Sequence, residues 1–578
     1  MTHVRSKAAV TLVAVLLASC TGPDGTTLSS ATPAASADAS APPPPPPADE
    51  ERSIVVTGSR ADRQERTVRS RSPAATTQAG AIAAYAPAID RRIAPPPYHA
   101  EGRDRFTSVE QNPFRVVDEE PVSTFSIDVD TASYGWMRAS LSRNLLPQPD
   151  SVRTEEMINY FPYDYALPRS AEQPFSTRVD VFPSPWTDGR KLVRVGIRGY
   201  EVERATRPRA NLVFLIDTSG SMSAPNKLDL VKQSLAMLVE QLGADDVVSI
   251  VTYAGNAGTA LEPTPASEKG RILAVIERLG AGGSTAGAEG IRQAYALAER
   301  SLDREGVNRV ILATDGDFNV GITNPEELKG YVERQRSRGV FLSVLGFGMG
   351  NYNDALMQTL AQNGNGNAAY IDTLSEARKT LVEEATSTLF PIARDVKIQV
   401  EFNPATVAEY RLVGYETRML AREDFDNDRV DAGDVGSGQT VTAIYEIVPV
   451  GGPRAIGDLR YARPLARTAA DNGSEYGFVK IRYKRPNSDR SQLISTPIDR
   501  AAEVGTFAEA PQDARFAAGV ASFAELLRGA RYSGSMTYDD VLQMVVAARG
   551  EDAFGYRSEF VQLVRAAKTA SAMARLGE

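Results

Sequence analysis

The 578-residue sequence has one cysteine and two histidines, and these shortages exclude more chemistry than any other feature of its composition. Cys20 and His3 stand in the first twenty residues, and His99 follows a proline-rich stretch, so the part of the chain able to fold has neither thiol nor imidazole. Zinc sites of the His/Cys type, Ser-His-Asp hydrolysis and Cys-His chemistry therefore lack their parts there. Long apolar runs are also missing near the N-terminus: the stretch from Ala8 to Ala18 is well short of the ~20 residues that span a bilayer as a helix. Positive charge is in deficit, with 64 Lys and Arg against 73 Asp and Glu and a formal net charge of -9. No global basic field exists to neutralise phosphates or to hold the protein on an anionic bilayer, so nucleic acid is not expected as a partner. What is present is apolar material, 42% of the residues, enough for several domains with sizeable cores.

The N-terminus carries an address. Arg5 and Lys7 precede the apolar stretch, and Leu17-Ala18-Ser19-Cys20 closes it, which is the layout of a secretory signal over 1–19 that is removed on export. Leu17 to Cys20 resembles the bacterial lipobox, and the resemblance implies cleavage before Cys20 and acylation of that residue. Each buried acyl CH₂ is worth about 0.8 kcal/mol, so more than one chain anchors durably. Residue 21 is Thr rather than Asp, which by that family's sorting rule implies the outer membrane of a bacterial envelope, facing the periplasm or the surface. Ordinary signal cleavage that leaves a spare thiol is the alternative.

From residue 20 to 111 the sequence reads as an Ala/Pro/Ser-rich linker, unable to bury a core and stiffened by the unbroken run Pro42 to Pro47. One island, Ser53 to Arg60, has strong β propensity and is similar to the segment that opens the plug of TonB-dependent receptors. It is either an accident of composition or a strand that adds to a partner's sheet edge. Residues 112–208 are expected to hold a strand at Ser123 to Asp130, helices at Thr131 to Asn144 and Val152 to Tyr160, and alternating strands at Arg178 to Phe182 and Lys191 to Ile197. Asp128 and Asp130 admit a metal, but capping and charge at a strand-to-helix junction explain them as well.

Over 209–390 the pattern changes to continuous apolar strands alternating with helical periods. The strands are Asn211 to Ile216, Val247 to Tyr253, Asn308 to Thr314, Val340 to Gly346 and Ala368 to Ile371, and a last helix runs from about Leu374 to Leu389. Such alternation means a doubly wound α/β domain, a parallel sheet covered on both faces. Alternation of period two returns at Val396 to Phe402, Thr440 to Val448 and Phe478 to Lys484, so 391–510 together with the strands before the α/β unit form a β-sandwich into which that unit is inserted. Residues 511–578 have helical apolar faces and form a small helical cap.

In an open α/β sheet, ligands bind beyond the carboxyl ends of the strands. The first strand runs into Asp217-Thr218-Ser219-Gly220-Ser221; the loop Gly282 to Gly287 holds Thr285; the third strand ends at Asp315-Gly316-Asp317. Two carboxylates with three hydroxyls are hard oxygen ligands, suited to Mg²⁺ or Mn²⁺ and poorly suited to zinc or copper. They are too few to fill six positions, so the ion would keep an open face for a Glu or Asp of another protein.

These motifs, in this order, resemble the metal-ion-dependent adhesion site of von Willebrand A domains. The resemblance implies that Ser219, Ser221 and Thr285 ligate the ion directly and that Asp217 and Asp315 act directly or through water, with Asp317 outside the usual set. It extends further: Asn112 to Phe114, Ser123 to Tyr134 and Glu155 to Asp164 look like the N-terminal segment of bacterial YfbK-type A-domain lipoproteins, and Ala521 to Arg528 with Glu559 to Val564 look like that family's C-terminal region. The expected function is adhesion, not enzymology: an envelope lipoprotein, held in the membrane by a lipid at Cys20, that binds an acidic protein partner through Mg²⁺. The alternatives are a scaffold in which the metal only stabilises its loop, and metal-assisted hydrolysis with Asp317 as general base.

Overall fold

The structure is a computed structural model that describes residues 104–203, 207–283, 287–316, 325–457, 473–486 and 488–576. The signal at 1–19, Cys20, the linker up to residue 103 with its 53–60 island, and His99 lie outside the described residues. No helix among the described residues is long and apolar enough to cross a membrane.

The α/β unit is built on a six-stranded sheet in the spatial order Ala368–Ile371, Val340–Phe347, Val307–Thr314, Ala210–Asp217, Val247–Tyr253, Ala257–Pro265. All neighbours are parallel except the last pair. Every residue of the central strand Ala210–Asp217 is buried, because successive side chains enter opposite cores. Leu212, Phe214 and Ile216 pack beneath Leu230–Gln241 and Lys269–Glu277. Val213 and Leu215 pack against Gly287–Arg300, Pro325–Ser337 and Asp354–Asn363. Two features were not read from the sequence pattern, the antiparallel edge strand Ala257–Pro265 and the helix Asp354–Asn363. The edge strand faces solvent along much of its length, so it lacks the apolar run that marks its neighbours.

The last helix of the unit departs from expectation. It is broken into Leu374–Arg378, a π-helical turn Lys379–Glu383, and Ala385–Leu389. The wide turn is closed by the Glu384 N–H donating to the Lys379 carbonyl at 2.9 Å. The Lys379 ammonium is buried here, against Glu384 and 4.4 Å from the centre of the Tyr160 ring.

Around this unit lie two antiparallel sheets. One has the order Arg115–Val116, Val407–Val413, Thr440–Pro449, Lys191–Gly199, Phe175–Pro183; the other places Pro391–Phe402 between Glu475–Lys484 and both Val435–Gly436 and Val122–Ser126, with Ser491–Asp499 at the far edge. Thr440–Pro449 pairs with Lys191–Gly199 along its length, so strands from before and after the α/β unit are neighbours and the unit is an insertion. Their inner faces share a core that includes Val193, Val195, Ile398, Val400, Val441, Ala443, Tyr445 and Ile447. Strand Thr440–Pro449 is buried on both faces, because Ile444 turns the other way, into a second core. There the helices Gln512–Leu527 and Tyr556–Leu576 bring Phe516 and Phe560 against Phe161 of the N-terminal segment, and Tyr538–Ala547 adds Val541 and Val545 to the same core. The helical end is therefore a third layer on the sandwich.

Helix Ala132–Leu141 seals the edge of the parallel sheet. Gly135 makes this possible, since a Cβ there would lie 2.4 Å from the carbonyl oxygen of Tyr370. The preceding carboxylates are not the helix caps that the sequence allowed. Asp128 accepts from Arg418 Nε at 2.8 Å and Asp130 from Arg418 Nη2 at 3.1 Å, while the other oxygens of the two take the N–H groups of Asp130 and Ala368. A single planar guanidinium bridges both and, with those N–H groups, offsets the cost of burying them.

Candidate metal-ion site

The carboxyl ends of the three central strands finish level. The register pairs Asp217 with Tyr253 on one side and Ile216 with Ala313 on the other, so Asp217, Tyr253, Thr314 and Asp315 meet at one rim of the sheet. Asp217 is fully buried. Its Oδ1 accepts the Ser219 N–H at 2.9 Å, and its Oδ2 accepts the hydroxyls of Tyr253 and Thr314, each at 3.2 Å. Burial pushes this carboxyl up to about 6, against the pull of the hydrogen bonds from Ser219; the nearby Asp315 adds to the rise.

After Asp217 the chain is extended at Ser219 and then tightens into a 3₁₀ turn, Gly220–Ser223. The turn brings the Ser219 and Ser221 hydroxyls to 3.0 Å from each other. A second loop is laced to the first: the Gly220 N–H donates to the Gly283 carbonyl at 3.0 Å and the Gly282 N–H to the Thr218 carbonyl at 2.8 Å. Gly283 has φ +87, and a Cβ on it would sit 3.1 Å from the Gly255 nitrogen, so this lacing needs glycine. Thr285, two positions further on, lies outside the described residues, as does Asp317.

Asp315 is also fully buried and comes from the third strand end. Its Oδ2 accepts from the Lys227 ammonium at 2.8 Å. The following Gly316, at φ +96, donates its N–H to the Thr314 hydroxyl and lets the backbone of Tyr352 and Asn353 approach to 2.6 Å from where a Cβ would be. Of the expected site residues, Asp217, Ser219, Ser221 and Asp315 are thus drawn to the same rim. Tyr253, Thr314 and Lys227 were not singled out in the sequence. The first two end predicted strands, and that was their available signal; Lys227 had none.

The donors present are compatible with a hard divalent cation. They are carboxylate and hydroxyl oxygens without nitrogen or sulfur, the set that suits Mg²⁺. Among the described residues no three His, Cys, Asp or Glu side chains cluster so as to hold an ion, which leaves the hydroxyls of Ser219 and Ser221 to complete any coordination here. Asp315 already accommodates a positive group at hydrogen-bonding distance, the Lys227 ammonium.

Three family models match the chain. Residues 100–194 match the model described as von Willebrand factor, residues 211–384 that of the von Willebrand factor type A domain, and residues 387–570 that of the C-terminal region of the uncharacterized protein YfbK. The chain is 44% identical over 473 residues to the uncharacterized protein YfbK of Escherichia coli K12, covering 81% of each. It is 28% identical over 227 residues to human inter-alpha-trypsin inhibitor heavy chain H4, covering 37% of this chain and 24% of that one. A solved von Willebrand factor type A protein from Catenulispora acidiphila aligns with 14% identity and a TM-score of 0.41, over 70% of this chain and 91% of that one. With a type A domain inserted in a sandwich and a YfbK C-terminal region behind it, the chain belongs to the YfbK family of von Willebrand factor type A domain proteins.

Proposed function

We propose that this chain is an envelope-anchored binding protein that captures a carboxylate of a protein partner through a Mg²⁺ or Mn²⁺ ion. Asp217, Ser219, Ser221 and Asp315, together with Thr285, would hold the ion, and a lipid on Cys20 would hold the protein at the outer membrane. The observation that carries this reading is the pairing of the Ser219 and Ser221 hydroxyls at the same strand-end rim as two buried carboxylates. An ion bound there would supply an electrophilic position for an oxygen of the partner. The chain's own residues orient the site: Tyr253 and Thr314 hold Asp217, and the lacing through Gly220 and Gly282 holds the serine loop. No histidine stands among the described residues to move a proton, which weighs against hydrolysis.

A capture experiment from envelope extract tests this. Partner recovery is expected with Mg²⁺, to fall away in EDTA, and to be lost in Asp217→Ala and Ser219→Ala. Recovery unchanged by EDTA would sink the reading. The Lys227 contact favours a second possibility, because it already neutralises Asp315 without a metal. In that case the protein is a scaffold whose metal only steadies the loop, and Mg²⁺ would raise the melting temperature while every partner stayed bound.

A further inference from the structure

We propose that the cavity between the N-terminal segment and helix Asp354–Asn363 binds a small organic cation, a primary ammonium on a short alkyl stem, with the Glu155 carboxylate as its counter-ion. The cavity shares no residue with the metal rim, and the proposal does not rest on that site.

The cavity has a volume of about 200 Å³. Carboxyls from three parts of the chain line it: Asp150 and Glu155 of the N-terminal segment, Asp354 at the start of its helix, and Glu416 just beyond strand Val407–Val413. Val109, Pro149, Val152 and Ala355 add apolar wall. Glu155 is wholly buried, and among the described residues neither of its oxygens accepts a hydrogen bond of normal geometry. The Tyr415 N–H pulls its pKa down, but burial outweighs that pull. Gly414, at φ +81, makes the room for this side chain: a Cβ there would lie 2.7 Å from Glu155 Oε2 and 2.8 Å from the Glu155 nitrogen. The neighbouring carboxyls do find donors. Asp150 accepts the Ser108 hydroxyl at 3.1 Å, Glu156 the Ser133 N–H at 2.8 Å, and Glu416 an Arg528 N–H at 2.9 Å.

The charges around the cavity do not balance. Arg153 lies between Glu156 and Asp354, Arg418 between Asp128 and Asp130, and Arg528 on Glu416. These three guanidiniums meet five carboxyls, so positive charge is short before Glu155 and Asp150 are added. Burial first, then repulsion from Glu416, Asp128 and Glu156, pushes the Glu155 carboxyl up to about 8, and it keeps its proton at neutral pH for want of a cation. Burial likewise raises Asp130, Glu156 and Asp354. Among the described residues no three acidic side chains converge so as to hold a metal ion. A primary ammonium needs no such convergence, being a compact charge with three N–H donors, and its alkyl stem matches the apolar wall. On binding, Glu155 releases its proton to solvent and the ligand's ammonium takes the place of that proton as the partner of the carboxylate.

The test is titration calorimetry of the full chain with n-butylammonium chloride at pH 6.5 and pH 8, each in two buffers of different ionisation enthalpy, with 1-butanol as the uncharged probe of the same stem. Wild type is expected to bind the amine with about one proton released at pH 6.5, and about tenfold more tightly at pH 8, as linkage to one proton requires. 1-Butanol should not bind, and EDTA should leave amine binding unchanged, which separates this site from the metal rim. Glu155→Gln keeps the shape of the side chain and should bind at least about tenfold more weakly at pH 8, without proton release. Nα-acetyl-lysine amide carries the same stem and ammonium on a peptide backbone. Its binding alongside n-butylammonium would make a lysine side chain the ligand, and its exclusion a free amine. Failure of wild type to bind n-butylammonium would overturn the proposal, as would binding without proton release at pH 6.5 or binding of equal strength in Glu155→Gln.

Discussion

Two pairs of aspartates end strands in this molecule, and they have opposite fates. Asp128 and Asp130 follow Val122–Ser126 of the sandwich, and both are bridged by Arg418. Asp217 and Asp315 end strands of the parallel sheet, where Lys227 reaches Asp315 while the hydrogen bonds to Asp217 come from neutral N–H and hydroxyl groups. A guanidinium presents several donors in a fixed plane and satisfies two carboxylates at once; an ammonium is a compact point charge on a flexible stem. The first pair is thereby spent on holding the N-terminal segment to the sandwich. The second keeps a negative charge in reserve at the place where an α/β sheet presents ligands.

The two pairs part most visibly at Arg418. Arg418→Met strands two buried carboxylates and is expected to cost about 3–5 kcal/mol in urea unfolding, as removal of one partner from a buried ion pair does. Asp217→Ala should be much milder in stability and should instead abolish any response to metal. For wild type, Mg²⁺ at about a hundred times its dissociation constant would stabilise by about 2.7 kcal/mol, seen as a rise in melting temperature that the Asp217→Ala protein lacks. A wild-type melting temperature indifferent to Mg²⁺ would make the two pairs equivalent.

Smaller effects sharpen the contrast. Gly283→Ala places an L-residue at φ +87 against Gly255 and should cost roughly 1–2 kcal/mol, with weaker metal binding because the second loop loosens. Beside the Arg418 pair, Glu155 is buried near Glu416 and Asp128, and burial first, then those charges, pushes its carboxyl up to about 8. It is neutral in the folded protein at pH 7 and ionised in the unfolded chain. Its contribution to stability is thus full below about pH 4.5 and is lost as pH rises through about 8. Glu155→Gln should flatten that decline in unfolding measured across pH 5 to 8, and an unaltered slope would show that Glu155 is not its source.

Much of the architecture was legible in residue patterns. The five parallel strands read as unbroken apolar runs because they are buried on both faces, and the insertion followed from alternating strands on either side of them. The helix Asp354–Asn363 and the strands Val407–Val413 and Ser491–Asp499 were not read. Ser491–Asp499 is an edge strand whose side chains are largely exposed, so burial never imposed a pattern on it. Val407–Val413 failed for the opposite reason: almost wholly buried, it carries Glu409 and Arg411 inside, and Arg411 is matched by Glu446 and Glu525 from other elements. Apolar periodicity does not register a buried charge.

For the candidate site, the sequence by itself determined the chemistry. Asp217, Ser219, Ser221 and Asp315, which follow strands, and Thr285, which the sequence puts in a loop, are an oxygen-only set, and the described residues include no histidine or cysteine; both properties are local to the residues concerned. Tertiary structure alone decided how the charges are balanced. Thr314 meets Asp217 across 97 positions, Lys227 meets Asp315 across 88, and Arg418 meets Asp128 across 290. Those meetings depend on strand register, on a helix widened at Asn226 and on a glycine at 348 that makes room for a lysine stem. No nearby residue in the chain records them.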